Sequence, residues 1–315
     1  MRLPARTILV TLLLAATFHA TGASVAQGQQ ARQGLLSLED ARLFYEVRGE
    51  GDPIIVVHGG PGLDHRYLRP GLDVLASRNS LVYYDQRGTG RSLTEVGPET
   101  VNVDAFVGDI EALREALGFE RVHVLTHSFG SKIGLAYARA YPDRVRSLIL
   151  LNPVDPGTRY AQETQTRRLA ARTPADSVAL SELTTSEGYA ARDPGTLGRV
   201  FEVAFRAAMR DPENVAQLDL DLEPNTARHG QDIAELLGRE LGSTDGWAAL
   251  GDVQAPVLVV HGRHDLPPLE MSTELAESLP DGRLEVLDSG HFSYVEDRDG
   301  LLAAVAGFLA SLPRS

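Results

Sequence analysis

The sequence predicts an α/β fold with a mostly parallel central sheet flanked by helices, and three observations support this prediction. Short apolar runs without polar faces recur along the chain, as expected for strands that are covered on both sides of a parallel sheet. Amphipathic stretches with helical spacing alternate with these runs. Several runs stop at Gly-rich or polar stretches, and ligands of such sheets bind beyond the carboxyl ends of the strands. We therefore expect the functional residues to lie at these strand ends.

The first 26 residues have the pattern of a secretory signal peptide. Arg2 and Arg6 precede an apolar segment at residues 8–16, and small residues lead to a predicted cleavage site after Ala26. The apolar segment is too short to span a bilayer comfortably, although an uncleaved signal would leave it as an anchor. We expect cleavage, a periplasmic or secreted protein, and no stable membrane association.

The composition limits the class of protein and of partner. The chain has 315 residues, 43% of them hydrophobic, which is enough for one large domain or a core with an insertion. Its net charge of -13 and the lack of a dense Lys/Arg run argue against nucleic-acid binding. With no cysteine, disulfides, thiol catalysis and thiolate metal sites are excluded. We expect a small-molecule or short-peptide substrate, no cofactor and no metal, and the sequence leaves the oligomeric state open.

Six strands and two helices are predicted in the first part of the core, residues 27–151. Two of these strands are joined by the Glu39-Asp40 turn and should form a hairpin at an edge of the sheet. The predicted strands are 35–38, 41–48, 53–57, 81–84, 122–126 and 145–151, and the predicted helices are 103–117 and 131–141.

Residues 152–247 follow a different pattern, which predicts a helical cap inserted into the core. No buried strand is apparent in this stretch, and it is too long for a simple loop. Helical pieces are predicted at 164–172, 197–209 and 233–241. The core resumes over residues 248–315, with strands at 257–260 and 283–287 and helices at 271–279 and 301–312.

Ser128 stands where the apolar strand from Val122 turns into a helix, which is the context of a nucleophile elbow. Such a turn exposes the hydroxyl, and the helix N-terminus favours developing negative charge. The usual pattern is Gly-x-Ser-x-Gly, but its first position here is Thr126 and its last is Gly130. Strand and helix pass closely at the first position, so we expect local repacking around the threonine.

A serine hydroxyl needs a base and an acid that orients this base. Asp265 and His291 each follow a later predicted strand, which gives the chain order Ser, Asp, His together with Ser128. We therefore predict Ser128 as nucleophile, His291 as base and Asp265 as acid. Asp288 and Glu285 are rival acids, but they precede His291 on the same strand end, from which the far side of the imidazole is hard to reach.

Further histidines near these strand ends are expected to be structural. The run from His261 to Asp265 could be mistaken for a set of metal ligands, but its place after a strand favours the acid of the triad. The histidines expected to be structural are His58, His123, His127, His261 and His264.

Over nearly all of the predicted mature chain, the sequence resembles the α/β-hydrolase family. More narrowly, His58-Gly59-Gly60-Pro61-Gly62 together with the stretch 85–92, Asp-Gln-Arg-Gly-Thr-Gly-Arg-Ser, resembles the proline iminopeptidase (prolyl aminopeptidase) group. The resemblance implies that the backbone N–H groups of Gly60 and Phe129 receive the oxyanion.

Structural roles are expected around this oxyanion loop, residues 58–62. We expect Asp85 and Arg87 to brace the loop and His58 to hydrogen-bond within it.

Two features depart from the proline iminopeptidase pattern and bear on the substrate. The group usually has Gly-Gly-Ser-Trp-Gly at the elbow, where this chain has Thr126-His127-Ser128-Phe129-Gly130. Trp247 is the only tryptophan, whereas Trp-rich cap helices are expected around a proline pocket. Peptidases of this group hold the substrate amine with cap carboxylates, for which the candidates are Glu202, Glu213 and Glu223, with Asp211, Asp219 and Asp221 as further acidic residues.

Together these features predict an exported serine hydrolase that acts through an acyl-enzyme. Release of an N-terminal residue such as proline is the first expectation, and carboxylesterase or lactonase action on a small acyl substrate is the alternative. A serine nucleophile argues against dehalogenase and epoxide hydrolase chemistry, which uses an aspartate in this fold. An alternative of another class is a ligand-binding homologue that keeps the triad with little turnover.

Overall fold

A computed structural model describes residues 32–242 and 244–313, so the predicted signal peptide and its cleavage site lie outside the described residues. Within this part the sheet has nine strands in the order β1-β2-β4-β3-β6-β7-β8-β9, with β5 beside β2. The strands are β1 (Arg32–Ser37), β2 (Ala41–Arg48), β3 (Asp52–Val57), β4 (Asn79–Tyr84), β5 (Leu93–Thr94), β6 (Val122–His127), β7 (Val145–Leu151), β8 (Val257–Gly262) and β9 (Gly282–Leu287).

The sheet is mostly parallel, as the apolar strand patterns predict. The six strands from β4 to β9 in the sheet order pair in parallel. The β1–β2 hairpin is antiparallel and forms the predicted edge. Strands β6 and β8 are buried along their whole length, as expected for the middle of a covered parallel sheet.

Helices cover both faces of the sheet, and each face has its own apolar layer. One layer includes Phe106, Ile133 and Leu275, and the other includes Tyr67 and Phe308. The helices are α1 (Arg69–Leu72), α2 (Val103–Ala116), α3 (Gly130–Ala140), α4 (Ala161–Ala171), α5 (Pro174–Thr184), α6 (Glu187–Ala190), α7 (Pro194–Arg206), α8 (Pro224–Gly242), α9 (Leu269–Ser278), α10 (Ser293–Glu296) and α11 (Arg298–Ser311).

The stretch between β7 and β8 is helical, with α4 to α8 in its described residues. The predicted helical pieces overlap α4, α7 and α8, whereas α5 and α6 were not predicted. Pro174 and Pro194 both stand in the first turn of a helix, after the N-caps Thr173 and Asp193. Proline is favourable there because the first N–H groups of a helix have no partner within it. The boundaries of core and cap stay a prediction.

The side chain of Thr126 in the elbow is accommodated by a glycine on the following helix. A Cβ added to Gly134 of α3 would lie 2.4 Å from the side-chain methyl of Thr126. The threonine at the unusual first position of the elbow therefore occupies space that Gly134 leaves. Gly130 has a separate reason to be glycine, since an added Cβ would lie 2.5 Å from the carbonyl oxygen of Val57 on β3.

None of the helices in the described ranges is long and apolar enough to cross a membrane.

Candidate active site

Ser128 lies at the corner where β6 passes into α3. Its φ of 54° is a left-handed conformation, which is strained for a residue with a Cβ and is found at functional turns. The Ser128 amide donates to the carbonyl of Leu151 at 3.1 Å, which fixes the corner to β7. The residue is half-buried, so its hydroxyl lies at the edge of the core.

His291 lies between Ser128 and Asp265 and is hydrogen-bonded to both. His291 Nε2 is 2.9 Å from Ser128 Oγ, and His291 Nδ1 is 2.9 and 3.0 Å from the two carboxylate oxygens of Asp265. The structure therefore brings together the three side chains that the sequence predicted. In such an arrangement the imidazole can accept the serine proton while the carboxylate fixes its tautomer.

Asp265 is a fully buried carboxylate that is kept charged by its neighbours. Besides His291, it accepts hydrogen bonds from Asn152 Nδ2 at 2.9 Å and from the Leu266 amide at 2.6 Å. Burial alone would raise the pKa of Asp265, but the charge of His291 and these side-chain hydrogen bonds hold it below its ordinary value. The carboxylate can therefore stabilise an imidazolium at His291.

Asn152 is a site residue that the sequence analysis did not identify. It follows β7 with a φ of 46° and is buried. Its side-chain amide donates to Asp265 and, at 3.0 Å, to the carbonyl of Gly290. The available signal was its position, since a polar residue directly follows the apolar strand that ends at Leu151.

The rival acids lie away from the imidazole nitrogen that they would have to meet. Asp288 is exposed, and its carboxylate contacts Arg210 at 2.5 Å and His264 at 3.0 Å. Glu285 on β9 is also exposed. Neither carboxylate is among the hydrogen-bond partners of His291 in the described residues.

The oxyanion loop passes directly beside Ser128. A Cβ added to Gly59 would lie 3.0 Å from the Cβ of Ser128, so glycine permits this close approach. Gly60 has a φ of 129°, and Phe129 is the N-cap of α3. Within the described residues, no hydrogen bond uses the N–H of Gly60 or of Phe129. Both predicted oxyanion donors therefore remain available to a substrate oxygen.

The bracing of the oxyanion loop differs in part from the prediction. His58 contacts the Gly59 carbonyl through Nδ1 at 2.9 Å, and it accepts from the Gln86 amide at Nε2 at 3.1 Å. Asp85 binds His65, shortly after the loop, at 2.6 Å. The expected role of Arg87 was wrong, because its guanidinium pairs with Asp109 of α2 and with Asp40 and not with the oxyanion loop. Gln86 takes the bracing role instead.

The three carboxylates proposed to hold an amine lie in different segments of the cap. Glu202 pairs with Arg206 of its own helix at 3.2 Å. Glu223 lies 3.7 Å from Arg66, and Glu213 is exposed. Two of these carboxylates thus already have a cationic partner.

Glu296 connects the loop of His291 to the cap segment after α7. Its carboxylate accepts from the Gly290 amide at 2.7 Å and from the amides of Arg210 and Asp211 at 2.9 Å. The His291 amide donates to the carbonyl of Ala208 at 2.7 Å. The last helix is capped by the next residue, Asp297, whose side chain accepts from the Gly300 amide.

Two histidines on β6 are buried, and we expect them to make folding sensitive to acid. Burial lowers the pKa of His123 to about 4 and that of His127 to about 3, from an ordinary value of 6.5. Below pH 6.5 the unfolded chain binds more protons at these sites, so the free energy of unfolding falls as the pH falls. Each site contributes a slope of at most about 1.4 kcal/mol per pH unit. Urea unfolding between pH 7 and pH 4 should show this loss.

A His123→Phe variant provides the control for this expectation. It should show a shallower loss of unfolding free energy over the same pH interval, because it removes one of the two sites. An unchanged pH dependence in the variant would contradict the assignment of the acid sensitivity to His123.

In the part of the chain that the structure describes, no group of three or more His, Asp or Glu side chains is placed to hold a metal ion. The candidate site comprises the Ser128–His291–Asp265 arrangement and the two backbone N–H groups. This arrangement can transfer an acyl group with protein groups alone.

Comparisons with known proteins agree with the fold. A family model described as alpha/beta hydrolase fold matches residues 52–298. A putative carbamate hydrolase RutD from Azorhizobium caulinodans is 32% identical over 261 residues, 81% of this chain and 89% of that protein. A proline iminopeptidase from Heyndrickxia coagulans is 28% identical, over 89% of this chain and 99% of that protein.

A solved structure extends the likeness to three dimensions. The crystal structure of proline iminopeptidase from Mycobacterium smegmatis matches with a TM-score of 0.65 at 25% identity, over 89% of this chain and 98% of that one. The predicted resemblance to the α/β-hydrolase family is confirmed by the family match and by these relatives. The chain belongs to the α/β-hydrolase family and is a hydrolase.

Proposed function

We propose that the protein is a serine hydrolase that cleaves a small acyl substrate through a covalent acyl-enzyme. The observation that carries this proposal is the continuous contact from Ser128 through His291 to the buried Asp265. Ser128 Oγ attacks the substrate carbonyl while His291 Nε2 takes its proton, and Asp265 stabilises the imidazolium. The proton then passes to the leaving group, and water attacks the acyl-enzyme by the same route.

The backbone N–H groups of Gly60 and Phe129 stabilise the negative charge that develops on the carbonyl oxygen. Each such donor contributes roughly 3 kcal/mol to transition-state stabilisation in comparable sites. The helix α3 begins directly behind Ser128, and the positive end of its dipole adds to this effect.

For the substrate, the cap favours an ester, a lactone or another acyl compound without a free amine. An ammonium group would need a carboxylate, but Glu202 and Glu223 already pair with Arg206 and Arg66.

Release of an N-terminal amino acid is the second candidate, and a specific observation supports it. The oxyanion loop and the stretch 85–92 resemble the proline iminopeptidase group, and the Heyndrickxia coagulans protein of that name matches nearly its whole length. In this case Glu202 would have to exchange Arg206 for the substrate amine.

A panel of substrates separates the two candidates. We expect turnover of 4-nitrophenyl acetate, 4-nitrophenyl butyrate and small lactones, with a burst of one equivalent of nitrophenol from the esters, and little turnover of proline 4-nitroanilide. The burst also tests against a binding protein with little turnover, which would release no product.

The opposite preference would reverse the substrate assignment. If proline 4-nitroanilide is the better substrate and Glu202→Gln removes this activity, the aminopeptidase is correct. The matched control is Glu187→Gln, since Glu187 of α6 is an exposed cap carboxylate outside the candidate set and its loss should leave either activity unchanged.

A further inference from the structure

A directed chain of hydrogen bonds connects the oxyanion loop to the main chain of His291. The Gly59 amide donates to Tyr67 Oη at 2.8 Å. Tyr67 Oη is 2.8 Å from His127 Nδ1, and His127 Nε2 is 2.9 Å from the carbonyl oxygen of His291. An amide can only donate and a carbonyl can only accept. Tyr67 therefore donates to His127, and His127 carries its proton on Nε2.

The surroundings of His127 keep this tautomer in place. The side chains of His127 and Tyr67 are buried. Four rings pack around the imidazole, with centroids between 5.0 and 5.5 Å away: those of Tyr67, His291, Phe292 and Tyr294. Burial lowers the pKa of His127 to about 3 and raises that of Tyr67. Both groups thus remain neutral at ordinary pH, and the direction of the chain does not change.

His127 has no direct part in proton transfer in this geometry. Its Nδ1 is occupied by Tyr67 and its Nε2 by the His291 carbonyl, so both ring nitrogens are engaged away from Ser128 Oγ. The nitrogen at Ser128 is that of His291. Any effect of His127 on the reaction must therefore act through the position of other groups.

We propose that His127 is a positioning residue that fixes the oxyanion loop and the main chain of His291 relative to each other through the chain Gly59–Tyr67–His127–His291. This inference rests on the proposed function, because it concerns the same triad. The acyl transfer needs the His291 imidazole and the Gly60 amide to be in place around one substrate carbonyl. They belong to segments far apart in the sequence, and His127, next to Ser128, links both.

The consequence is a selective loss of the chemical step. Without the hydrogen bond from His127, the main chain at His291 can shift, and a misplacement of about 1 Å costs about 10²-fold in rate. Binding of the substrate depends on the pocket walls and should change little.

The test uses a fluorophosphonate, which modifies an activated serine covalently, so that no natural substrate is needed. We expect His127→Phe to lower kinact about 10²-fold, with KI unchanged. His127→Gln can still donate an N–H towards the His291 carbonyl and should recover part of this loss. His123→Phe is the matched control, because His123 is also a buried histidine of β6, hydrogen-bonded only to Ser147 among the described residues, and should leave kinact unchanged.

A second variant keeps the test decisive if His127→Phe does not fold. Tyr67→Phe removes a single hydroxyl group and breaks the same chain. If the chain acts as a unit, Tyr67→Phe should lower kinact on its own, and the loss in the Tyr67→Phe, His127→Gln double variant should be smaller than the product of the two single losses.

Distinct outcomes contradict the inference and the proposed function. If the wild-type protein is labelled but His127→Phe and Tyr67→Phe match His123→Phe in kinact, the positioning role is wrong and the serine hydrolase remains. A rise in KI with kinact unchanged would also overturn it. If the wild-type protein is not labelled at all, both the proposed function and this inference fail.

Discussion

Replacing Ser128 with alanine is expected to lower kcat by about 10⁶-fold on any substrate that the wild-type protein hydrolyses. The hydroxyl forms the covalent bond to the acyl group, and no other side chain is hydrogen-bonded to His291 Nε2 in the described residues. Removing one oxygen atom from a half-buried side chain leaves the packing intact, so the thermal unfolding midpoint should stay close to the wild-type value. The measurement is steady-state hydrolysis of 4-nitrophenyl butyrate beside thermal unfolding.

Ser131→Ala is the matched control for this substitution. Ser131 lies in the first turn of α3, three residues after Ser128, and is buried. Its loss should leave kcat near the wild-type value. If Ser128→Ala keeps most of the activity while remaining folded, the nucleophile has been assigned wrongly.

The second large effect is expected for Asp265→Asn, which should lower kcat about 10⁴-fold. The asparagine keeps the size of the side chain but removes the charge that stabilises the imidazolium. Its amide can also face His291 Nδ1 as a donor, which favours the wrong tautomer of the imidazole. In the wild-type protein the carboxylate of Asp265 accepts hydrogen bonds from His291, from Asn152 and from the Leu266 amide. The N–H₂ group of an asparagine at this position would face one of these donors.

Asp288→Asn tests whether the acid of the triad is the buried Asp265 or Asp288, which lies nearer to His291 in the sequence. Asp288 is exposed and pairs with His264 and Arg210, so its neutralisation should have little effect on kcat. Hydrolysis rates of the two variants, measured side by side, decide between the two acids. A larger loss in Asp288→Asn than in Asp265→Asn would mean that the acid is Asp288.

The fold could be predicted from the sequence because its buried strands carry their own signal. The run Val257–Val260 is apolar on both faces, which indicates a strand in the middle of a covered parallel sheet, and Val122–Thr126 departs from this pattern only at the buried His123 and Thr126. The two-residue strand β5 has no such pattern in its own residues, because it forms only by pairing with β2, which is distant in the sequence. Helix α5 was missed because a proline at a helix start resembles a proline that breaks a helix.

The triad could be predicted because topology alone places the ends of parallel strands together. The contacts around it could not, since they depend on the directions of side chains from distant segments. Asn152 reaches Asp265 across 113 positions in the sequence. Gly134 compensates for Thr126 through the packing of helix on strand, and no local pattern indicates this pair. Arg87 was misassigned because its neighbours in sequence brace the loop while its own side chain points to α2.

The most direct test of the central claim, that Ser128 is an activated nucleophile, is the site of labelling by a fluorophosphonate. We expect one adduct per chain in intact-mass spectra, located at Ser128 in the peptide that contains Thr126 to Gly130, and no adduct in Ser128→Ala. An adduct at Ser131 or elsewhere that persists in Ser128→Ala, or a folded wild-type protein that remains unlabelled, would contradict the account.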